Sequence, residues 1–239
     1  MQRFIFKTYD KMSKEAADII IKEVNKKPNT ILGLATGSTP VGMYNELVQA
    51  YKKGSVDFSK LITFNLDEYY KISKENEQSY HYYMYHHLFS HINVKEQNVH
   101  IPNGNVDDVD AECKQYNDLI QQCGGIDLQV LGIGSNGHIG FNEPATVLNA
   151  NTHLTALKQT TIADNARFFE NDEQVPKHAI TMGLGSILKA KKILLLINGK
   201  NKAEIAKKIF EQKITTSIPA SLVQLHPDVT VLMDEEAAT

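Results

Sequence analysis

The chain has 239 residues, of which 42% are hydrophobic and 22% charged, and its formal net charge is −3 at pH 7. This length and composition fit one large globular domain, and the slightly acidic balance argues against a broad basic surface for nucleic acid or an anionic membrane. No stretch approaches the ~20 apolar residues of a membrane helix, and the N-terminus lacks the apolar core of a signal peptide.

The two cysteines, Cys113 and Cys123, stand ten residues apart. That spacing suits neither a disulfide framework nor a zinc site. Free thiols are typical of proteins that stay in a reducing compartment. We therefore expect a cytoplasmic protein without a structural metal.

Apolar runs alternate with helical patterns along most of the chain. In chain order the pattern predicts a strand in FIFKTY, a helix over 12–27 capped by Ser13, a strand in TILGLA, a helix over 40–51, a strand in LITFNL, helices over 78–89 and 108–122, and strands in LQVLGIG, KKILLLIN and VTVLM. Strands separated by helices predict an α/β fold with a mostly parallel central sheet. We expect a single domain over 1–239, with the polar, less periodic segment 145–177 forming a lid.

Ligands of open α/β sheets bind beyond the carboxyl ends of the strands, and TILGLA ends in Thr36-Gly37-Ser38-Thr39 before Pro40. Gly37 permits a tight turn, Ser38 or Thr39 can cap the following helix, and Pro40 suits its first position. The N–H groups at such a helix start attract anions. No Gly-Lys-Ser/Thr follows, so the segment is not a Walker loop but a candidate phosphate site of another kind.

The strand LITFNL ends in two carboxylates, Asp67 and Glu68. A carboxylate at this position is a candidate general base. Adjacent residues of an extended chain point in different directions, so we expect only one of the two to face a ligand. The residues alone leave open which one it is.

The strand LQVLGIG is followed by Asn136, His138 and Glu143, with Pro144 ending the segment. Its glycines match a dinucleotide-binding pattern, but the helix and the later acidic residue that this pattern requires are missing. A histidine can exchange protons near neutral pH, and Asn136 or Glu143 can fix its tautomer. Three such groups within eight residues predict a catalytic cluster.

Positive charges for an anionic substrate come from two further places. KKILLLIN is followed by Gly199 and then Lys202, a candidate point charge for a phosphate. The chain has only two arginines, and Arg167 lies in the predicted lid segment, within NARFFEND. An arginine there is a candidate for bidentate anion binding.

Taken together, LATGSTPVGMY, TFNLDEYY, HIPNGN, LGIGSNGHIGFNEP and NARFFEND closely resemble the glucosamine-6-phosphate deaminase (isomerase) family, in order over nearly the whole chain. The resemblance implies a Rossmann-like three-layer α/β sandwich. It also implies conversion of glucosamine 6-phosphate and water to fructose 6-phosphate and ammonia, in amino-sugar catabolism, with no metal or cofactor. The expected partner is a small sugar phosphate, with no nucleic acid and no membrane.

The same resemblance assigns roles to individual residues. Asp67 abstracts the proton at C2 of the opened sugar and passes it to C1. His138 handles the proton of the ring oxygen, and Glu143 and Asn136 assist it. The phosphate-binding residues implied by the resemblance are Thr36, Gly37, Ser38, Thr39, Arg167 and Lys202.

Two departures from the family pattern carry further expectations. Asn136 stands where many members have aspartate, which removes a negative charge near His138. His153 and Thr155 stand where allosteric members carry basic residues, and the chain lacks their longer C-terminal tail. We therefore expect no activation by N-acetylglucosamine 6-phosphate, and a monomer or small homo-oligomer.

Two other functions remain open alternatives. A 6-phosphogluconolactonase shares similar glycine-rich and Gly-His motifs but needs neither a C2 base nor the Phe-Asn-Glu-Pro segment. A non-catalytic sugar-phosphate sensor would keep the phosphate loop without the acid/base residues. The presence of Asp67, His138 and Glu143 favours the deaminase over both.

Overall fold

The computed structural model of the protein describes residues 1–158, 162, 175–211 and 213–239. The helices and strands in chain order are β1 (Gln2–Phe6), α1 (Tyr9–Lys26), β2 (Ile31–Leu34), α2 (Val41–Lys52), β3 (Ile62–Asn65), β4 (Asp67–Tyr69), α3 (Tyr80–His87), β5 (Val99–His100), α4 (Val109–Gln122), β6 (Leu128–Leu131), β7 (His153–Ala156), β8 (His178–Thr181), α5 (Leu184–Leu188), β9 (Lys192–Ile197), α6 (Ala203–Phe210) and β10 (Val229–Asp234). Within these residues, no helix is long and apolar enough to cross a membrane.

The main sheet has the strand order β1-β10-β9-β6-β2-β3-β5. Every neighbouring pair in it is parallel; Leu34 lies opposite Asn65, for example, and Leu131 opposite Leu195. Parallel pairs need crossover connections, and most of these contain helices. The predicted α/β fold with a mostly parallel central sheet is confirmed.

Helices cover both faces of this sheet, as the sequence of β9 shows. Ile193, Leu195 and Ile197 belong to one hydrophobic core, whereas Leu194 and Leu196 belong to a second core on the opposite face. Residues of α1, α2 and α3 complete the second core, and residues of α4, α5 and α6 complete the first. A strand buried on both faces reads as a continuous apolar run, which is why the central strands were easy to predict.

A second, antiparallel sheet of order β4-β8-β7 was not predicted. Its strands are only three or four residues long, and β7 lies inside the segment 145–177 that was expected to be a lid. The chain leaves β3 and enters β4 after one residue, so that Asp67 pairs with Thr181 of β8. This pairing fixes the backbone that carries Asp67.

The predicted cap of the first helix is wrong. Helix α1 begins at Tyr9, and its N-cap is Thr8, whose hydroxyl accepts a hydrogen bond from the N–H of Lys11 at 3.3 Å. Ser13 lies inside the helix and is buried against Gly42, where an added Cβ would come within 2.5 Å of the Ser13 hydroxyl. The short Ser13 side chain serves close packing between α1 and α2.

The start of α2 also differs from the prediction. Pro40 is itself the N-cap residue, and neither Ser38 nor Thr39 caps the helix with its side chain. Instead, the hydroxyl of Tyr9 accepts a hydrogen bond from the N–H of Gly42 at 2.7 Å and donates to the carbonyl of Thr39 at 3.0 Å. A tyrosine from α1 thus satisfies a donor at the helix start, which no local pattern could indicate.

Candidate active site

The four strand ends singled out in the sequence meet in one place. β9, β6, β2 and β3 are consecutive in the main sheet, so the segments that follow them lie side by side at its carboxyl edge. They surround a cavity of about 220 Å³. Its lining residues are Ala35, Thr36, Gly37, Ser38, Thr39, Leu66, Asp67, Tyr80, Gly132, Ile133, Gly134, Ser135, His138, Gly140, Phe141 and Lys202.

The loop after β2, residues 36–39, lines this cavity. Gly37 has a φ of 93°, a conformation that favours glycine, and no atom lies within 4 Å of a Cβ built there. The carbonyl of Gly37 accepts a hydrogen bond from the hydroxyl of Tyr83 at 2.6 Å. The loop is therefore held from the α3 side and leads directly into the N-terminus of α2, as expected for an anion-binding turn.

The loop after β9 brings Lys202 to the same cavity. Gly199 has a φ of 85°, and its N–H donates to both carboxylate oxygens of Asp234 at 3.0 Å. Asp234 is 5% exposed and also accepts the N–H of Ala237 at 2.8 Å. The turn that carries Lys202 is thus anchored on the end of β10. Nothing in the sequence around Asp234 indicated this role.

Asp67 and Glu68 face different surroundings. The sequence left open which of the two faces the ligand site, and the structure places Asp67 at the cavity. Asp67 lines the cavity, whereas Glu68 lines a separate cavity on the other side of β4. Burial, together with the neighbouring Glu68 carboxylate, raises the pKa of Asp67 to about 8. A carboxyl with this pKa accepts a proton far more readily than an exposed aspartate.

His138 follows the end of β6 and lines the same cavity as Asp67, with Asn136 and Glu143 behind it. The Nδ1 atom of His138 lies 3.6 Å from Oε1 of Glu143, and the other Glu143 oxygen accepts a hydrogen bond from the Asn136 amide at 2.7 Å. The backbone N–H of His138 donates to Oδ1 of Asn136 at 3.1 Å. The three predicted residues therefore form one cluster, with only the histidine at the cavity wall.

Two glycines after β6, Gly134 and Gly140, leave room for the side chains of His138 and Asp67. A Cβ at Gly134 would lie 2.2 Å from Cε1 of His138, so the imidazole packs directly on that backbone. Gly140 has a φ of 56°, and a Cβ there would lie 3.2 Å from Oδ2 of Asp67. The glycine pattern that resembles a dinucleotide motif instead lets the backbone approach two reactive side chains.

Most of the predicted site residues converge, with one outside the described part of the chain. Asp67, His138, the loop 36–39 and Lys202 line the cavity, and Asn136 and Glu143 support His138. Arg167 lies outside the described residues. Among those described, no group of three or more histidine, cysteine, aspartate or glutamate side chains is placed to hold a metal ion.

Two aromatic residues of the cavity wall were missed. Tyr80, from the first turn of α3, stacks on Phe141 with ring centroids 5.9 Å apart and an interplanar angle of 8°. The hydroxyl of Tyr80 shares a hydrogen bond with the side chain of Thr36. A tyrosine in a predicted helix carries no sequence signal for such a position, because only the packing of α3 against the β2 loop creates it.

Comparison with known proteins places the chain among sugar-phosphate enzymes. Residues 7–232 match the family described as glucosamine-6-phosphate isomerases/6-phosphogluconolactonase. The glucosamine-6-phosphate deaminase of Thermoanaerobacter pseudethanolicus is 56% identical over 239 residues, which are 100% of this chain and 94% of that protein. That of Clostridium novyi is 54% identical over 239 residues, covering 100% of this chain and 99% of its own.

Solved structures agree with this grouping. A monomeric glucosamine-6-phosphate deaminase superposes with a TM-score of 0.97 at 47% identity, over 100% of this chain and 99% of that one. A 6-phosphogluconolactonase from Leishmania guyanensis has a TM-score of 0.74 at 20% identity, over 99% of this chain and 97% of that one, which shows a shared fold. The chain therefore belongs to the family of glucosamine-6-phosphate isomerases and 6-phosphogluconolactonases, as the resemblance of its motifs predicted.

Proposed function

We propose that this protein is a glucosamine-6-phosphate deaminase, which converts glucosamine 6-phosphate and water to fructose 6-phosphate and ammonia. Full-length relatives at 51–56% identity carry that name. The structural observation that carries the proposal is that the buried carboxylate of Asp67 shares one cavity with His138, the loop 36–39 and Lys202. A base, a proton carrier and an anion-binding loop thus face the same small space.

Binding begins with the phosphate. The N–H groups of the loop 36–39 and the N-terminus of α2 supply hydrogen-bond donors and a partial positive charge, and Lys202 adds a full charge. Arg167 is the remaining residue that we propose to bind the phosphate. Anchoring the phosphate places the distant carbons of the sugar over Asp67 and lowers the entropic cost of reaction.

Ring opening is the task of His138. The imidazole moves the proton between the ring oxygen and the C1 hydroxyl, which gives the open-chain aldehyde. Glu143, whose Oε1 lies 3.6 Å from Nδ1, orients the imidazole ring, and Asn136 holds Glu143 in place through its amide. Asn136 contributes no charge of its own.

Asp67 then performs the isomerisation. It takes the proton from C2, next to the aldehyde carbon, and returns it to C1, while a second proton passes from the amine nitrogen to O1; the product carries a hydroxyl at C1 and an imine at C2. Water adds to that imine, and the resulting carbinolamine expels ammonia to leave the C2 ketone of fructose 6-phosphate. Because the pKa of Asp67 is raised to about 8, its ionised form is a stronger base than an ordinary aspartate carboxylate, and the rate should rise with the ionised fraction as pH approaches 8.

Incubating the protein with glucosamine 6-phosphate tests this assignment. We expect ammonia and fructose 6-phosphate to appear in equal amounts, measured by separate coupled assays. A parallel incubation with 6-phosphogluconolactone, followed by acid release, should not exceed the spontaneous hydrolysis. Lactone hydrolysis without ammonia would make the protein a lactonase, and binding without any product would make it a sensor.

The remaining expectations on assembly, location and regulation belong to the same proposal. The protein works in the cytoplasm as a monomer or small homo-oligomer and is not activated by N-acetylglucosamine 6-phosphate. The similar solved structure described as monomeric supports the assembly state, and the free thiols of Cys113 and Cys123 support the location. Light scattering after gel filtration tests the assembly state, and rate curves with and without that compound test the regulation.

A further inference from the structure

Glu68 is a buried carboxylate that the proposed mechanism does not use. It is 3% exposed, and its side chain accepts three backbone hydrogen bonds. Oε1 accepts the N–H of Tyr69 at 2.8 Å and that of Tyr80 at 2.9 Å, and Oε2 accepts the N–H of His81 at 2.8 Å. Because Tyr80 and His81 open α3, Glu68 ties β4, which carries the base, to the start of that helix.

Helix α3 in turn holds the candidate phosphate loop. The side chain of Tyr80 shares a hydrogen bond with Thr36, and one turn later the hydroxyl of Tyr83 donates to the carbonyl of Gly37 at 2.6 Å. Residues three apart lie on the same face of a helix, so both contacts come from one side of α3. A continuous path of hydrogen bonds therefore runs from Glu68 through α3 to the loop.

We propose that Glu68 is a positioning residue for the deaminase reaction: through α3 it fixes the separation between Asp67 and the phosphate-binding loop, and its carboxylate adds negative charge behind the base. The inference rests on the proposed function, because this separation matters only if the cavity holds a sugar phosphate. Glu68 itself does not face the substrate cavity, so its effect is exerted through Asp67 and α3.

Glu68 can titrate while a sugar occupies the active site. It borders a second cavity of about 460 Å³, which it shares with Lys74, His81 and Asn103. Burial raises the pKa of Glu68 to about 7, and the three N–H donors oppose that rise. Loss of its proton therefore raises the proton affinity of Asp67 in the enzyme–substrate complex as well. We expect the influence of Glu68 on Asp67 to appear in the pH profile of kcat and not only in that of kcat/KM.

Other ionisable groups also surround Asp67, and a test of Glu68 must leave their side chains unchanged. Those facing Asp67 from its own strand, from the helices packed against it and from across the cavity are Glu68, Tyr69, Tyr80, Tyr116, His138 and Lys202. Those sharing the second cavity with Glu68 are Lys74, Glu75 and His81. Conservative substitutions at position 68 leave all of the other side chains named here in place.

Two substitutions separate the charge of Glu68 from its reach. Glu68→Gln removes the charge and keeps the size; its amide oxygen can still accept the N–H groups of Tyr69 and Tyr80, but its amide nitrogen cannot accept that of His81. Glu68→Asp keeps the charge but shortens the side chain away from α3. Tyr83→Phe removes only the hydroxyl that holds Gly37. Asp108→Asn is a matched control, because Asp108 is also a carboxylate at a helix start, where it accepts the N–H of Ala111 at 2.9 Å away from the cavity.

The full-length variants are compared by three measurements: the pH profile of kcat, the titration of the Asp67 carboxyl by ¹³C NMR without substrate, and the Kd of inorganic phosphate by calorimetry. Glu68→Gln should move the acid limb of kcat and the Asp67 titration to lower pH by about one unit. Glu68→Asp and Tyr83→Phe should weaken phosphate binding about 3- to 10-fold, and Tyr83→Phe should leave the Asp67 titration in place.

Asp108→Asn should match the wild type in all three measurements. The inference is overturned if the Glu68 variants behave like this control while the wild type produces ammonia. If the wild type produces no ammonia, the proposed function fails alone, and the NMR titration and phosphate affinity still decide whether Glu68 acts on Asp67 and the loop. If Glu68→Gln does not fold, Glu68→Asp and Tyr83→Phe decide it, because unchanged phosphate binding in both would contradict the path through α3.

Discussion

The hydroxyl of Thr39 donates a hydrogen bond to the side-chain oxygen of Asn198 at 2.7 Å. Thr39 ends the loop after β2, and Asn198 begins the turn after β9 that carries Lys202. The two segments are 159 positions apart in sequence and converge on the same cavity. This bond joins the loop whose backbone N–H groups are proposed to bind the phosphate to the turn that carries Lys202.

Asn198→Ala should weaken phosphate binding by separating these two loops. A hydrogen bond contributes about 1 kcal/mol net, so we expect the Kd of inorganic phosphate to rise about fivefold. Calorimetry measures it directly. Asn25→Ala is a suitable control, since Asn25 also bridges two chain segments, through Ser55, but does so far from the cavity. Equal effects of both variants would refute a specific role for Asn198.

Asp67→Asn should abolish turnover and leave phosphate binding intact. The amide has the same shape as the carboxylate but cannot accept the C2 proton, so kcat should fall by about 10³-fold or more. The coupled ammonia assay gives the rate, and calorimetry with inorganic phosphate gives the binding. Retention of a tenth of the wild-type rate would show that another group is the base.

The same substitution should stabilise the fold at alkaline pH. The pKa of Asp67 is raised from 3.8 to about 8 in the folded state, so below pH 4 both states hold the proton and the group favours neither. Between pH 4 and 8 the unfolded state loses the proton while the folded state keeps it, so Asp67 increasingly favours the unfolded state and lowers the stability of the fold as pH rises.

The amide introduced by Asp67→Asn does not titrate, so the advantage of this variant over the wild type should grow from pH 4 to pH 8. Each unit of pKa corresponds to about 1.4 kcal/mol, which sets an upper limit of about 6 kcal/mol for the gain. Urea unfolding of both proteins at several pH values measures it. A difference that does not change with pH would mean that Asp67 titrates normally in the folded protein.

Gly134→Ala should displace His138 and slow catalysis while preserving the fold. The new methyl group would lie 2.2 Å from Cε1 of His138, and the ring can turn away into the cavity to relieve this contact. We expect kcat to fall at least about tenfold. Gly54→Ala serves as the control, because its Cβ also meets no atom within 4 Å and Gly54 does not line the cavity; its φ of 72° costs some stability, but kcat should stay within about twofold.

Asn136→Asp should change the pH dependence of the rate. The Asn136 amide donates to Glu143 at 2.7 Å, which an ionised aspartate cannot do. Two carboxylates at this distance hold one proton between them, so an additional ionisation should enter the pH–rate profile. A profile identical to that of the wild type would show that position 136 has no electrostatic influence on His138.

Much of this site could be predicted from local sequence because the relevant signals are local. Buried strands appear as apolar runs, and the residues that follow them collect at one edge of a parallel sheet. The acidic pair Asp67 and Glu68, His138, the loop 36–39 and Lys202 were predicted as site residues in this way, and the fold class followed from the order of strands and helices. The family motifs carried the assignment of roles.

The tertiary structure decided what depends on distant parts of the chain. It turned Asp67 toward the cavity and Glu68 toward α3, because the short strand β4 pairs with β8 and its alternate side chains face opposite ways. It also brought Tyr83 to Gly37 and Asn198 to Thr39, contacts between segments 46 and 159 positions apart. The sequence by itself determined which groups are available for the reaction, since their chemistry and strand-end positions are local properties. Only long-range packing determined which of them face the cavity and which hold the others in place.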